Sequence, residues 1–171
     1  MATTSSTAPP ALQYSADNCT VGRTMAILGE RWTFVVIREV FNGIRRFDDM
    51  RVRTAIPRQV LSDRLTRLVE RGVLHRVPYR EPGHRVRYEY RLTEMGFDLY
   101  PVLQALREWG DRYLADPDGG PVTTVHRDCG EPVEIVLRCA AAHEIDKMRD
   151  LVSVPGPGAR LTPRSGSPQR Q

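Results

Sequence analysis

The sequence predicts a mainly α-helical fold with a small β-hairpin wing, an α+β domain carrying a small C-terminal β appendage. Three observations point there. Apolar residues recur at helical spacing in five segments between residues 20 and 113. One pair of alternating runs, residues 74–79 and 86–92, flanks a turn rich in Pro, Gly and Arg. Basic charge gathers in the middle of the chain. Residues 45–91 hold 13 arginines against 6 acids, a net of +7, while the rest of the chain sums to −3.

The elements follow in order. Residues 20–30 form a first helix, with Val21, Met25 and Leu28 on one side and Gly29 near its end. Thr33 is placed to N-cap a second helix, whose broad apolar face (FVVIREVF) stops at Gly43. Phe47 and Met50, three apart, mark a short third helix over residues 46–53. Pro57 fits the first turn of a fourth, where its missing N–H costs nothing. That helix sets Leu61, Leu65, Leu68 and Val69 on one face, and Gly72 ends it. The hairpin comes next, turning at residues 80–85. Thr93 opens a last helical stretch through Leu99, Val102, Leu103, Leu106, Trp109 and Tyr113, which Pro101 should kink or split.

These elements place a folded domain at residues 17–115 and a ribbon-like appendage at 122–153. Residues 1–16 and 154–171, rich in Ser, Thr, Ala, Pro and Gly, are expected to be a disordered arm and tail. A chain of 171 residues can bury a core without disulfide staples. Its 3 cysteines are an odd count, the N-terminus lacks a basic-then-apolar leader, and no run of about 18 apolar residues occurs. The expectation is a soluble, cytoplasmic, nucleoid-associated protein with reduced thiols and no membrane partner.

The order helix, helix, helix, basic helix, hairpin is that of a winged helix-turn-helix, whose recognition helix buries one stripe and shows short polar and cationic side chains on the other. At 100° per residue, the face opposite Leu61 and Leu65 shows Gln59, Asp63, Thr66 and Arg67, with Ser62 on the flank and Arg58 in the first turn. Gln pairs bidentately with adenine, and Arg with guanine or a phosphate. The hairpin tip offers Arg80, His84, Arg85 and Arg87 to phosphates or the minor groove. Arg46 completes the DNA-binding set. The competing reading is ordinary solvated surface, because all but one of the basic residues are arginine and the chain is Arg-biased throughout.

The segments CTVGRTMAILGERWTFVVIREVFNGIRRFDDM and IPRQVLSDRLTRLVERGVLHRVPYREPGHRVRYEYRLTEMGFDLYPVLQALREWG closely resemble the HxlR-type, MarR-like transcriptional regulators of bacteria. The resemblance runs from about Cys19 to Tyr113. It rests on Gly29-x-Arg31-Trp32, the pair Arg46-Phe47, Leu61-x3-Leu65-x2-Leu68 before Gly72, and Tyr88-x-Tyr90-x-Leu92-Thr93 before Gly96. It implies a homodimeric DNA-binding regulator, a repressor on an inverted-repeat operator, released by an oxidant, an electrophile or a small ligand. It also implies that the terminal helices, the first one and the segment with Leu103, Leu106 and Trp109, form the dimer interface. Two half-sites would roughly double the phosphate contacts of one. Some members carry a redox-sensing cysteine just before the first helix, and Cys19 matches it. The helix dipole and Arg23 at i+4 favour a reactive thiol there; the other reading is a small residue in the dimer interface.

His126, Cys129, Cys139 and His143 cluster within eighteen residues and supply four ligand types suited to a structural zinc ion. Nine residues separate the pairs, too few for a DNA-reading finger, and PVEIVL between them looks like a strand. Longer members of the resembled family carry a similar appendage with two cysteine knuckles and a segment like Gly156-Pro157-Gly158. Here Ala142 stands where the last knuckle's second cysteine would be. Either His143 replaces that ligand or the segment is a metal-free β appendage. No other cofactor is implied. A thiol- or metal-dependent enzyme using this cluster is the competing function, against which no Gly-rich oxyanion loop or orienting acid is evident. A protein-interaction adaptor is the third, opposed by the retained arginines of the recognition helix and wing.

Overall fold

The fold is seen in a computed structural model that describes residues 15–160. The arm and tail expected to be disordered lie outside them for residues 1–14 and 161–171. In order come α1 (Thr20–Leu28), α2 (Thr33–Phe41), α3 (Phe47–Thr54), α4 (Arg58–Glu70), β1 (Leu74–Tyr79), β2 (Arg87–Leu92), α5 (Glu94–Phe97) and α6 (Tyr100–Tyr113), with a short 3-10 turn at Met148–Asp150. The expected mainly helical fold with a hairpin wing is therefore present.

Two compact units divide the chain. One is residues 27–136; the other joins residues up to Ala26 with those from Leu137 onward. In the first, Val36, Ile37 and Val40 of α2, Met50 of α3, and Leu61, Leu65 and Leu68 of α4 are buried together with Val73, Leu74 and Leu92 at the base of the hairpin. The spacing of the α4 leucines, i, i+4, i+7, puts all three on the core side, each stabilising by about 1.5–3 kcal/mol relative to exposure. The opposite face of α4 is thereby left for other work. Gly72, at φ +75°, ends α4 as its spacing implied.

Local differences from the sequence reading have physical causes. Thr33 does not cap α2. It is the first helical residue, and its hydroxyl is buried without a hydrogen-bond partner among the described residues. Pro57 sits one place before α4, where its carbonyl accepts the Leu61 amide at 3.0 Å. Pro101 splits the last helical stretch into α5 and α6 and lies in the first turn of α6, where it leaves no helical bond unmade. Thr93 caps α5, accepting from the Gly96 amide at 3.1 Å and donating to the Gly72 carbonyl at 2.6 Å.

The strands pair antiparallel with Leu74 opposite Leu92 and Tyr79 opposite Arg87. A short third rung joins them. Arg46 bridges Glu89, and the Tyr90 amide donates to the Arg45 carbonyl at 2.8 Å, so the residues before α3 are stitched to the wing.

The run Pro132–Leu137, expected as a strand, is not one. It forms only an isolated bridge, Val125 to Pro132. Two of its backbone groups are taken by α6: the Ile135 amide donates to Glu108 Oε1 and Gln104 Nε2 donates to the Val133 carbonyl, each at 3.0 Å.

Candidate nucleic-acid interface

Packing decides which side chains of α4 are shown. With Leu61, Leu65 and Leu68 buried, Arg58, Gln59, Ser62, Asp63 and Arg67 are exposed and Thr66 is half-buried. Gln59 Nε2 donates to Asp63 Oδ1 at 2.9 Å, one helical turn on. The guanidinium of Arg58 lies 5.4 Å from the Phe47 ring at the start of α3. The Ala55-Ile56-Pro57 turn between α3 and α4 needs the left-handed conformation at Ala55, φ +53°.

The hairpin tip carries the rest of the basic set. Arg80, His84, Arg85 and Arg87 are all exposed. Arg80 Nε donates to the His84 carbonyl at 3.4 Å, and Arg87 pairs with Asp48 of α3 at 3.5 Å. The hairpin tip and the exposed face of α4 are thus cationic surfaces of one unit.

Arg46 is differently placed. Its Nη1 reaches Glu81 Oε1 at 2.8 Å, its Nε reaches Glu89 Oε1 at 3.4 Å, and its guanidinium covers the Tyr79 ring at 4.2 Å. It is engaged with the wing itself. Hydrogen bonding from Arg91, opposed by burial and aided by Arg46, holds the Glu89 carboxyl below the usual carboxylate range.

Acidic partners were not legible in the sequence. Glu30 sits between Arg64 at 3.4 Å and Arg67 at 3.5 Å, tying the α1–α2 turn to α4. Glu39 is buried at 1 % side-chain exposure and receives Arg38 and Arg53, each at 2.7 Å. Burial alone would raise its carboxyl pKa. The hydrogen bonds from Arg53 and Arg38, with their charges, outweigh that and hold it below the usual range. Its one available signal was a lone acid inside an apolar run.

The Cys/His cluster resolves into two separate turns. In the first, Gly130 (φ +75°) follows Cys129, and His126 Nδ1 lies 3.3 Å from Cys129 Sγ. In the second, the Cys139 amide donates to the His143 carbonyl at 3.0 Å and Ala142 takes φ +63°. Ala142 and Gly130 both take the left-handed conformation, and the Ala142 amide donates to the Cys139 carbonyl at 2.9 Å. Among the described residues no group of three or more His, Cys, Asp or Glu side chains is arranged to hold a metal ion. All three cysteines are exposed thiols. No helix among the described residues is long and apolar enough to cross a membrane.

A polar, cationic helix after a tight turn, with a basic hairpin in the same unit, defines a winged helix-turn-helix protein. Known proteins agree. The HxlR-like helix-turn-helix family profile matches residues 27–118. The uncharacterized HTH-type transcriptional regulator Rv3095 of Mycobacterium tuberculosis is 42% identical over 147 residues, covering 86% of this chain and 92% of that one. The crystal structure of PA1607, a candidate transcription factor, aligns with a TM-score of 0.72 and 33% identity over 82% of this chain and 96% of the other. The redox regulator HypR in its oxidized form aligns with a TM-score of 0.52 and 28% identity over 57% of this chain and 100% of the other. The chain belongs to the HxlR-like helix-turn-helix family; it is a transcriptional regulator and not an enzyme.

Proposed function

We propose that the protein binds an inverted-repeat DNA operator as a homodimer and represses transcription from it. The observation that carries this reading is the exposed polar face of α4, with Arg58, Gln59, Ser62, Asp63 and Arg67 turned away from a leucine core. In this reading α4 enters the major groove and Thr66 lies at its margin. Arg80, His84, Arg85 and Arg87 reach phosphates or the adjacent minor groove. The second copy is favoured by the apolar stripe Val102, Leu106, Trp109 and Tyr113 on α6, all exposed. Val21 and Met25 of α1 are exposed apolar residues as well. Surface of this kind marks an association face.

The test is a band shift with DNA from the protein's own promoter region across a salt series. Dimeric complexes whose affinity falls steeply with salt are expected. Complexes of one chain per site, or none with any promoter fragment, would sink the reading.

Release by an oxidant or electrophile is supported by the exposed Cys19 thiol one residue before α1, and by the likeness to the redox regulator HypR. Diamide treatment should weaken DNA binding, and Cys19→Ser should be insensitive. A Cys19→Ser protein that still responds removes Cys19 from the mechanism.

A further inference from the structure

Phe47 is an aromatic ring at the edge of a polar, cationic face. It is half-buried at the start of α3 and packs against the core, yet it also lines an open hollow of about 420 Å³. The other walls are Arg58, Gln59 and Ser62 of α4, none of them acidic. Two of those walls are held in place. The Arg58 guanidinium lies 5.4 Å from the Phe47 ring, and Gln59 donates to Asp63 at 2.9 Å. A second hollow, on the wing side of Phe47, differs in kind. It contains Asp48, paired with Arg87 at 3.5 Å, whose charge disfavours the acceptor groups of bases and phosphates.

We propose that the hollow on the α4 side reads thymine, the Phe47 ring covering the C5-methyl group while the Arg58 guanidinium donates to O4. This rests on the operator reading and deepens it by naming a base and a residue outside the cationic set. In the major groove each base shows its own edge. Thymine alone sets a methyl group beside an acceptor. Guanine offers two acceptors and no methyl, cytosine a donor amine, and adenine a donor beside an acceptor. Guanidinium only donates, so it suits O4 and not the cytosine amine. Guanine would satisfy Arg58 but leave the ring facing water, whereas a methyl group removes that apolar surface from it. The ring and the guanidinium, side by side, therefore match the thymine edge on both counts.

The full-length protein is titrated in band shifts against its own promoter fragment, made with thymine, with uracil in its place, or with 5-bromouracil. Uracil keeps O4 and lacks the methyl; bromine is close to a methyl in size. Binding to the uracil fragment should be weaker by about fourfold for each half-site, and should recover with bromouracil. Ser62→Leu, which fills the hollow from an exposed position, should bring the thymine-to-uracil affinity ratio to about one or below. Phe47→Ala, which removes the ring, should do the same once circular dichroism shows it folded. The ratio is the readout, because lost packing alone lowers affinity for both fragments alike. Equal affinity of the unaltered protein for thymine and uracil overturns the proposal and leaves operator binding standing. A loss that bromouracil does not repair belongs to DNA stiffness and also overturns it, as does an undiminished ratio in Ser62→Leu. No complex with any of the three fragments sinks the operator reading itself, and the thymine assignment with it.

Discussion

Arg46 covers the ring of Tyr79 at 4.2 Å, joining the residue that precedes α3 to the last residue of the first wing strand. From that position it also reaches Glu81, at the base of the wing tip, and Glu89 on the returning strand. One side chain thus holds both strands and the tip against the helix-turn-helix.

Arg46→Ala is therefore expected to act through the wing. Amide hydrogen exchange should quicken between Tyr79 and Arg87, and operator affinity should fall. The slope of log affinity against log salt separates positioning from contact. It should stay unchanged in Arg46→Ala and drop by about one in Arg85→Ala. A drop of that size in Arg46→Ala would make Arg46 a phosphate ligand.

Arg67→Ala and Gln59→Ala should differ in kind. Loss of Arg67 weakens binding to every sequence; loss of a base-reading Gln59 costs about 1–3 kcal/mol on the preferred operator and relaxes preference at one base pair. Selection from random duplexes reads the difference. If neither variant changes affinity or preference, α4 is not the reading helix.

Glu39 gives the fold a pH dependence with a definite sign. Its carboxyl is held below the ordinary carboxylate range, so the native state binds its proton less readily than the unfolded chain. The stability this supplies is complete above the unfolded value and is lost as pH falls through the folded one. Denaturant midpoints should therefore be flat for this group at neutral pH and decline below about pH 4.5. Glu39→Gln should lessen that decline and destabilise at pH 7. The loss should fall short of the roughly 3–5 kcal/mol typical of a broken buried pair, because half-exposed Arg38 and Arg53 can turn to water.

Two small residues carry opposite predictions. A Cβ at Gly96 would collide with the Val73 carbonyl oxygen and press on Leu92, so Gly96→Ala should cost about 1–3 kcal/mol by overpacking. Ala55 already has a Cβ in a left-handed conformation that suits glycine, so Ala55→Gly should stabilise by roughly 0.5–1 kcal/mol. Urea denaturation of both variants checks the signs.

What the sequence made legible was what local periodicity controls. The leucine spacing of α4, the alternation of Tyr88, Tyr90 and Leu92, and the stop at Gly72 each depend on near neighbours, and each is where it was expected. Side-chain pairing was not legible, because it joins distant positions. Nothing in the sequence marks Glu30 as the partner of Arg64 and Arg67, or Asp48 as that of Arg87. Arg46 looked like one more cation of a basic block, since its aromatic and acidic partners lie 33 to 43 positions away. Pro132–Leu137 misled for a related reason: it has strand-like residues but no neighbouring strand, and α6 side chains take the Ile135 amide and the Val133 carbonyl.

The grip of Gln104 and Glu108 on Val133 and Ile135 bears on where this protein can be cut. A fragment ending just past the helix-turn-helix would retain the recognition helix and wing. It would also strip the cover from a glutamine that is only 4% exposed in the whole chain. The smallest well-behaved piece is therefore set by a side chain on α6 and not by the edge of the family match, and it should extend through Val136.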